Sequence, residues 1–391
     1  MTELSDSDVR LLMFSPLSLR MGAGGDRWLV EIAPRLKKRG IRPTVFATDF
    51  IAKSYRANAT DWFVDRIRNA DIRYKETPAS SISNQVNAPV MRRESVIALS
   101  REMREHDVTY FMNAYAFQDV TTWLAKKLAG KPPVISAQHA SMFQDSQLHN
   151  LYIHSVTRGL LRAFDGFHVL NREDFRTYIR WGLRPAFLIP NGVDTRRFSP
   201  APSKDDSQFI VLFTGRLDYQ KGVDIVLNSI QHLELQRQNG IVYKICGTGP
   251  MREEVERFAE ERSNVNYLGY VPDDELLQLY KDASLFLMPS RRETFGLVAM
   301  EAMSSGTPVI VTDIPGPRTF VRASFGRMVP PEDSKALAES IQWFYHLFLE
   351  QPDELRAMAS NAREACVKEY DWENVADKLA VMIRKVITEK Q

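Results

Sequence analysis

Two cysteines in 391 residues are too few for a disulfide-stapled scaffold or a thiolate metal centre. Cys246 and Cys366 each sit in an apolar stretch, where a reduced buried thiol is expected. The seven histidines show no metal-ligand spacing, so no metal is expected. No apolar run approaches a membrane span. The first ten residues are polar and acidic, unlike a secretory signal. Short repeats and low-complexity tracts are absent. A large excess of charge is missing too: the net charge is +2, with 26% charged and 44% hydrophobic residues. This is the profile of a globular, cytoplasmic protein with no nucleic-acid partner.

What is present is two of something. The length exceeds what one hydrophobic core usually serves. Residues 1–190 hold 27 Lys and Arg against 19 Asp and Glu, and residues 191–391 hold 24 against 30. Halves of opposite sign face different partners. Apolar runs at 9–14, 43–47, 108–112, 134–137, 166–170 and 186–189 alternate with helical stretches. A second series follows at 210–214, 243–246, 266–268, 285–288 and 308–311. Such alternation implies parallel sheets covered on both faces. The Pro-, Ser- and Asp-rich stretch 199–207 reads as a linker. The expected domains are 1–198 and 208–369, followed by a helix over 370–391. That helix places Val375, Leu379, Met382 and Val386 on one stripe, which must dock.

The richest segment is 284–310, SLFLMPSRRETFGLVAMEAMSSGTPVI. A buried strand is followed by a polar loop, a helix opening at Gly296 and a second strand after Gly306. Amides of Phe295, Gly296 and Leu297 at the helix mouth suit anionic oxygens. Glu293 stands beside them, and Glu301 about two turns on. Residues 211–222, VLFTGRLDYQKG, set Arg216 and Lys221 in a strand-to-helix loop, where two cations suit a diphosphate or are solvated charges. In ICGTGP, Gly247 and Gly249 permit close backbone approach to a ligand. The segment GYVPDDE begins at Gly269 and contains Tyr270 and Val271. Near the N-terminus, GAGGDRW fails the dinucleotide fingerprint because Arg27 stands where a third glycine belongs. VISAQHAS puts His139 just past a strand end. PNGVD, 190–194, reads as a turn at a hinge.

Glu293 and Glu301, seven residues between them, resemble the E-x7-E signature of the retaining GT-B glycosyltransferases of family 4. The Gly215–Gly222 loop is similar to that family's G-R-L-x-x-x-K-G clamp, although Thr248 stands where the family more often has an acid. Gly24 and Gly25 resemble its N-domain glycine loop, with Asp26 in place of Glu. The resemblance implies a GT-B fold, two Rossmann-like α/β domains facing across a cleft, with the C-terminal helix crossing back to the N-domain. It implies transfer of a hexose from a nucleotide-diphosphate sugar, UDP-sugar first and GDP-mannose next, to a glycan or lipid-linked acceptor by front-side displacement. Arg216 and Lys221 would hold the diphosphate, with Thr294, Phe295, Gly296 and Leu297 beside them. Glu293 would hold the sugar, and Glu301 the ribose. The base would pack on Tyr270 and Val271, near Gly247 and Gly249. Gly24 and Gly25 would press on the diphosphate and acceptor, and His139 would donate a hydrogen bond to the sugar. Neither cofactor nor metal is implied.

Two other readings use the same fold: an inverting relative or nucleotide-sugar epimerase, and a non-catalytic nucleotide-sugar-binding protein. The pair Glu293 and Glu301 argues against the former, and the full set of polar residues against the latter. Segment 53–75 interleaves Lys53, Arg56, Arg66, Arg68, Arg73 and Lys75 with Tyr55, Trp62, Phe63 and Tyr74. Arg92, Arg93, Arg101 and Arg104 follow. Such a mixture suits peripheral attachment to an anionic membrane surface. The competing reading makes Ala59, Phe63 and Ile67 a core-facing stripe with the charges solvated around it.

Overall fold

The computed structural model describes all residues except 1–7, 23, 54–55, 57–58, 82–88, 114–116, 141–146, 203–206, 236–239 and 391. Two compact units result: Met1–Pro190 with Trp372–Gln391, and Asn191–Asp371.

The first unit contains β1 (Val9–Ser15), β2 (Ile41–Thr48), β3 (Arg73–Thr77), the short pair β4 (Ala79–Ser81) and β5 (Pro89–Met91), then β6 (Val108–Asn113), β7 (Val134–Gln138), β8 (Gly166–Val169) and β9 (Ala186–Leu188). Seven of these form a parallel sheet in the order β3-β2-β1-β6-β7-β8-β9. Leu11, Leu12, Met13 and Phe14 are all fully buried, because helices cover both faces of a central parallel strand. The C-terminal helix Trp372–Lys390 belongs to this unit. It buries the expected stripe of Val375, Leu379, Met382 and Val386. Arg35 Nε reaches Glu373 at 3.1 Å and Arg39 Nε reaches Asp377 at 2.7 Å, fixing it beside helix Gly24–Lys37.

The second unit adds β10 (Phe209–Thr214), β11 (Ile241–Cys246), β12 (Val265–Gly269), β13 (Leu285–Met288), β14 (Val309–Thr312) and β15 (Gly326–Val329). Their order is β12-β11-β10-β13-β14-β15, again parallel. Each sheet reverses its winding beside its first strand, at β1/β6 and at β10/β13. Open α/β sheets bind ligands at such a point, beyond the carboxyl ends of the strands.

The break between units falls at Pro190/Asn191, ahead of the expected linker at 199–207. Residues 191–198 are pinned to the second unit by their own hydrogen bonds. Val193 N donates to Tyr370 O at 2.8 Å, Thr195 Oγ1 donates to Asp371, and Phe198 O accepts from Ser304 Oγ at 2.6 Å. The chain returns to the first unit after Asp371, so the expected boundary at 369/370 moves by two residues. Cys246 and Cys366 are buried free thiols, and burial pushes the Cys246 thiol up to about 12. Among the described residues, no helix is long and apolar enough to cross a membrane.

Candidate functional site

The second unit brings its two main motifs together at the β10/β13 switch. After β10 the chain turns through Gly215 and Arg216 to a 3-10 turn at Tyr219–Lys221, capped by Asp218. Arg216 Nε lies 2.5 Å from Asp218 Oδ2. After β13 the loop delivers Glu293, then helix Leu297–Ser304 begins behind Gly296. Lys221 Nζ donates to Glu293 Oε2 at 2.6 Å, joining residues 72 positions apart in the chain. The clamp lysine and the helix-mouth carboxylate therefore share one site. The first-turn amides of that helix have no intrahelical acceptor and carry its positive end. The positive end of this helix thus lies next in sequence to the Glu293 that pairs with Lys221.

Glycines set how closely these loops approach. At Gly296, φ is 110°, and a Cβ would fall 2.8 Å from Met288 Cε. Gly316 admits the backbone of Glu293 to Phe295 into a space where a Cβ would stand 2.5 Å from Glu293 O. Phe295 is buried, its ring 5.1 Å from Phe320. Thr294 lies between the two, on the same loop. Glu301 is buried in the helix body, and its Oε2 accepts from Tyr280 Oη at 2.9 Å. Beyond β11, Gly247 and Gly249 form the adjoining turn, where Gly247 N donates to Gly269 O at 2.7 Å. That bond sets the start of the Tyr270–Val271 segment, on which Tyr270 is 70% exposed. Sequence reasoning missed Arg291. Its guanidinium is forked onto Asp224 at 2.8 and 2.7 Å and onto Glu332 at 2.6 Å, and stacks 3.4 Å from the Tyr219 ring. These two carboxylates hold its pKa above the ordinary arginine value against the cost of burial. The residue locks the β10 loop to the β13 loop. Its partners lie 67 and 41 positions away, so no local pattern announces it.

In the first unit, Gly24 and Gly25 open helix Gly24–Lys37, following β1. His139 stands just past β7, with its amide bonded to Asn113 O at 3.3 Å. Its ring lies among Trp28, Tyr110 and His168, with the Trp28 ring 4.6 Å away. Tyr110 Oη is 2.9 Å from His139 Nε2 and 2.5 Å from His168 Nδ1, and His168 Nε2 is 2.7 Å from Ile189 O. A carbonyl only accepts, so His168 carries its proton on Nε2. Burial holds His168 neutral, its pKa pushed down to about 4, so Nδ1 accepts from the tyrosine hydroxyl. Tyr110 oxygen then accepts from His139 Nε2. Burial and the neighbouring His168 depress His139 well below the ordinary histidine value, so it too is neutral. Its remaining nitrogen, Nδ1, is an acceptor. With the proton on Nε2, the ring offers a ligand an acceptor at Nδ1, where the sequence reading expects a donor.

The basic segment 53–75 is largely matched by acids. Arg66 reaches Glu31 at 3.3 Å, Arg73 reaches Glu102 at 3.4 Å, and Lys75 also pairs with Glu102. Arg68 lies 3.9 Å from Asp65. Phe63 and Ile67 are buried, as the core-stripe reading expects, while Ala59 is exposed. Tyr55 lies outside the described residues. Further along, Arg92 bonds Ser80 Oγ at 3.1 Å and Arg104 bonds Leu128 O, while Arg93 and Arg101 are exposed.

Two family models match consecutive parts of the chain: "Glycosyltransferase Family 4" over residues 22–197 and "Glycosyl transferases group 1" over residues 194–365. An uncharacterised glycosyltransferase of Methanocaldococcus jannaschii is 34% identical over 188 residues, 47% of this chain and 46% of that protein. The chain thus spans about half the length of that relative. A phosphatidyl-myo-inositol mannosyltransferase of Mycobacterium leprae is 25% identical over 396 residues, covering 97% of this chain and 98% of its own length. Among solved structures, Anabaena HepE in complex with UDP and glucose superposes with a TM-score of 0.74 at 19% identity, covering 96% of this chain and 100% of that one. At that identity the likeness shows the fold, which is GT-B.

Proposed function

From the premise that this chain belongs to the group 1 glycosyltransferases of GT-B fold, we propose that it transfers a hexose from a nucleotide-diphosphate sugar to an acceptor hydroxyl with retention of configuration. The observation that carries the reading is the Lys221–Glu293 pair at the β10/β13 switch, beside a helix N-terminus. A diphosphate there is met by two cations and a row of amides, while a carboxylate stands ready for sugar hydroxyls. UDP-sugars are the first candidates as donor and GDP-mannose the next; the acceptor is a glycan or lipid-linked hydroxyl.

In the proposed reaction the acceptor oxygen bonds to the anomeric carbon on the face from which the diphosphate departs. The bond from that carbon to the phosphate oxygen breaks, and the acceptor proton passes to a leaving-phosphate oxygen. The protein's work is to stabilise the charge gathering on the diphosphate, through Arg216, Lys221 and the amides at Phe295, Gly296 and Leu297. Preorganised donors of this kind need no solvent reorganisation as the bond breaks. Glu293 holds sugar hydroxyls, Glu301 holds ribose hydroxyls, and the base packs at Tyr270 and Val271. In the first unit, His139 accepts from a ligand hydroxyl through Nδ1, and Gly24 and Gly25 keep the backbone close to the ligand. Because cations and a helix end supply the positive charge, turnover needs no divalent metal.

One screen tests this: hydrolysis of a panel of UDP- and GDP-sugars, with and without EDTA, with the anomer of the initial product read by proton NMR. Expected is turnover of one nucleotide class, unaffected by EDTA, with the α-donor giving the α-product first. Loss of turnover in EDTA with recovery in magnesium sinks the metal-free account. An inverted first product sinks front-side displacement. No turnover with any donor favours the non-catalytic reading.

A further inference from the structure

Three cations at the β10/β13 switch are each paired with an acid of the same unit. Lys221 Nζ meets Glu293 at 2.6 Å. Arg291 is forked between Asp224 and Glu332. Arg216 Nε lies 2.5 Å from Asp218 Oδ2. An anion that enters must compete with these carboxylates. Two of the pairings have an evident purpose. In the proposed reaction Glu293 leaves Lys221 to take sugar hydroxyls, and Arg291 ties two loops together. Asp218 has neither task.

Asp218 does cap the 3-10 turn Tyr219–Lys221, where its Oδ1 accepts from Lys221 N at 2.9 Å. That task needs no charge, since asparagine and serine cap as well as aspartate. The carboxylate is also the more enclosed member of its ion pair, with a side chain 13% exposed against 35% for Arg216. Holding a charge there costs desolvation that a neutral cap would avoid. The charge is therefore directed at Arg216, through the second oxygen. The backbone gives this pair little room to part. Leu217 stands between the two and is fully buried. Its N donates to Thr248 O at 2.9 Å, and its O accepts from Met251 N at 3.0 Å. Asp218 N donates to Arg216 O at 2.9 Å. Asp218 thus stays beside Arg216 when a ligand arrives, whereas Glu293 reaches Lys221 from a loop 72 positions away.

We infer that Asp218 is a built-in counter-ion that restrains Arg216 from the nucleotide diphosphate, so that the spent nucleotide is held less tightly and leaves faster. A fixed negative charge beside an anion site lowers the affinity of the anion that binds there. Cleavage of the sugar–phosphate bond leaves the nucleotide with more negative charge than the donor carried, so the penalty falls harder on product than on donor. Asp218 is a positioning residue in this account: it acts through Arg216 and touches no reacting atom. The assignment rests on the reading that a nucleotide diphosphate binds at this switch.

The test is calorimetry of UDP and of GDP on the wild type, Asp218→Asn and Asp218→Ser, with nucleotide dissociation followed by stopped-flow displacement. Both substitutions keep a neutral cap on the turn. Each should bind the nucleotide that the wild type prefers roughly fivefold tighter or more, with dissociation slowed by a similar factor. A carboxylate that served only the shape of the loop would give the opposite sign, weaker binding on its removal. Glu234→Gln removes the same charge at the far end of helix Val223–Leu235 and should leave affinity unchanged. Unchanged or weaker binding in the folded variants overturns the proposal, as does equal tightening by Glu234→Gln. Failure of both Asp218 variants to fold overturns it too, since the carboxylate would then be structural. If neither the wild type nor either variant binds UDP or GDP, the diphosphate reading itself falls. Wild-type binding without tightening in the variants removes the role of Asp218 and leaves that reading standing.

Discussion

The two units both follow a strand with a glycine-bearing turn, and the glycines are not equivalent. In the second unit a Cβ on Gly247 would stand 1.8 Å from Gly215 O, one on Gly249 2.4 Å from Leu217 O, and one on Gly222 2.2 Å from Pro289 O. In the first unit a Cβ on Gly25 would meet only the tip of Met112, at 3.3 Å. Backbone cannot give way as a methionine methyl can. The second unit's turns are thus fixed by backbone packing on backbone, which places the Arg216 loop and the Gly247 turn rigidly beside one another. At Gly25 the first unit's turn is a helix start that tolerates a side chain.

The largest expected effect breaks that comparison if it fails. Gly247 has a φ of 134°, and an alanine there would carry both that strain and an overlap with backbone. Gly247→Ala should cost more than about 4 kcal/mol, the scale reached only when strain or packing is directly violated. Gly25→Ala should cost no more than about 1 kcal/mol. Urea unfolding of both variants checks this. Similar midpoints for the two would mean the second unit's loops relax, and the rigid-turn account would be wrong.

The same contrast explains what could be read from the sequence. Glu293, Glu301 and the Gly247 turn lie in short segments whose spacing reflects strand, turn and helix directly, and the alternating apolar runs foretold both parallel sheets. Partners distant along the chain left no such trace. Arg291 finds Asp224 and Glu332 only in the folded unit, and Tyr280 finds Glu301 from 21 positions away. The 53–75 segment looked like a cationic surface because two of the acids that pair with it, Glu31 and Glu102, lie elsewhere in the sequence.

Chemistry sharpens the comparison next. In the proposed reaction the second unit works with charge, so Lys221→Ala should lower kcat/KM by about 3 kcal/mol, the scale for removing one charge-stabilising donor. UDP affinity should fall as well. Glu293→Gln should depress transfer while leaving UDP affinity within about twofold, since a carboxylate aimed at the sugar gains nothing from bare nucleotide. Calorimetry and initial rates separate the two variants. Equal loss of UDP affinity in both would dissolve the division between diphosphate and sugar.

The smallest effect belongs to the first unit, where the histidine site works without charge. Tyr110 Oη sits between two neutral rings and determines which His139 nitrogen bears the proton. Tyr110→Phe keeps the ring stacked on Trp28 and removes only the oxygen. The loss should be about 1 kcal/mol of stability, the net worth of an ordinary hydrogen bond. His139 should then lose its single tautomer, and kcat should drop several-fold, roughly 1 kcal/mol, with KM little changed. Long-range nitrogen-15 spectra of the histidine rings report this directly. In the wild type, His139 should show a protonated Nε2 and a bare Nδ1; in Tyr110→Phe, a mixture. A wild-type His139 protonated on Nδ1 would return the ring to hydrogen-bond donor. A variant with unaltered spectra and rates would mean that the tyrosine only fills space, and the first unit would then contribute packing where the second contributes electrostatics.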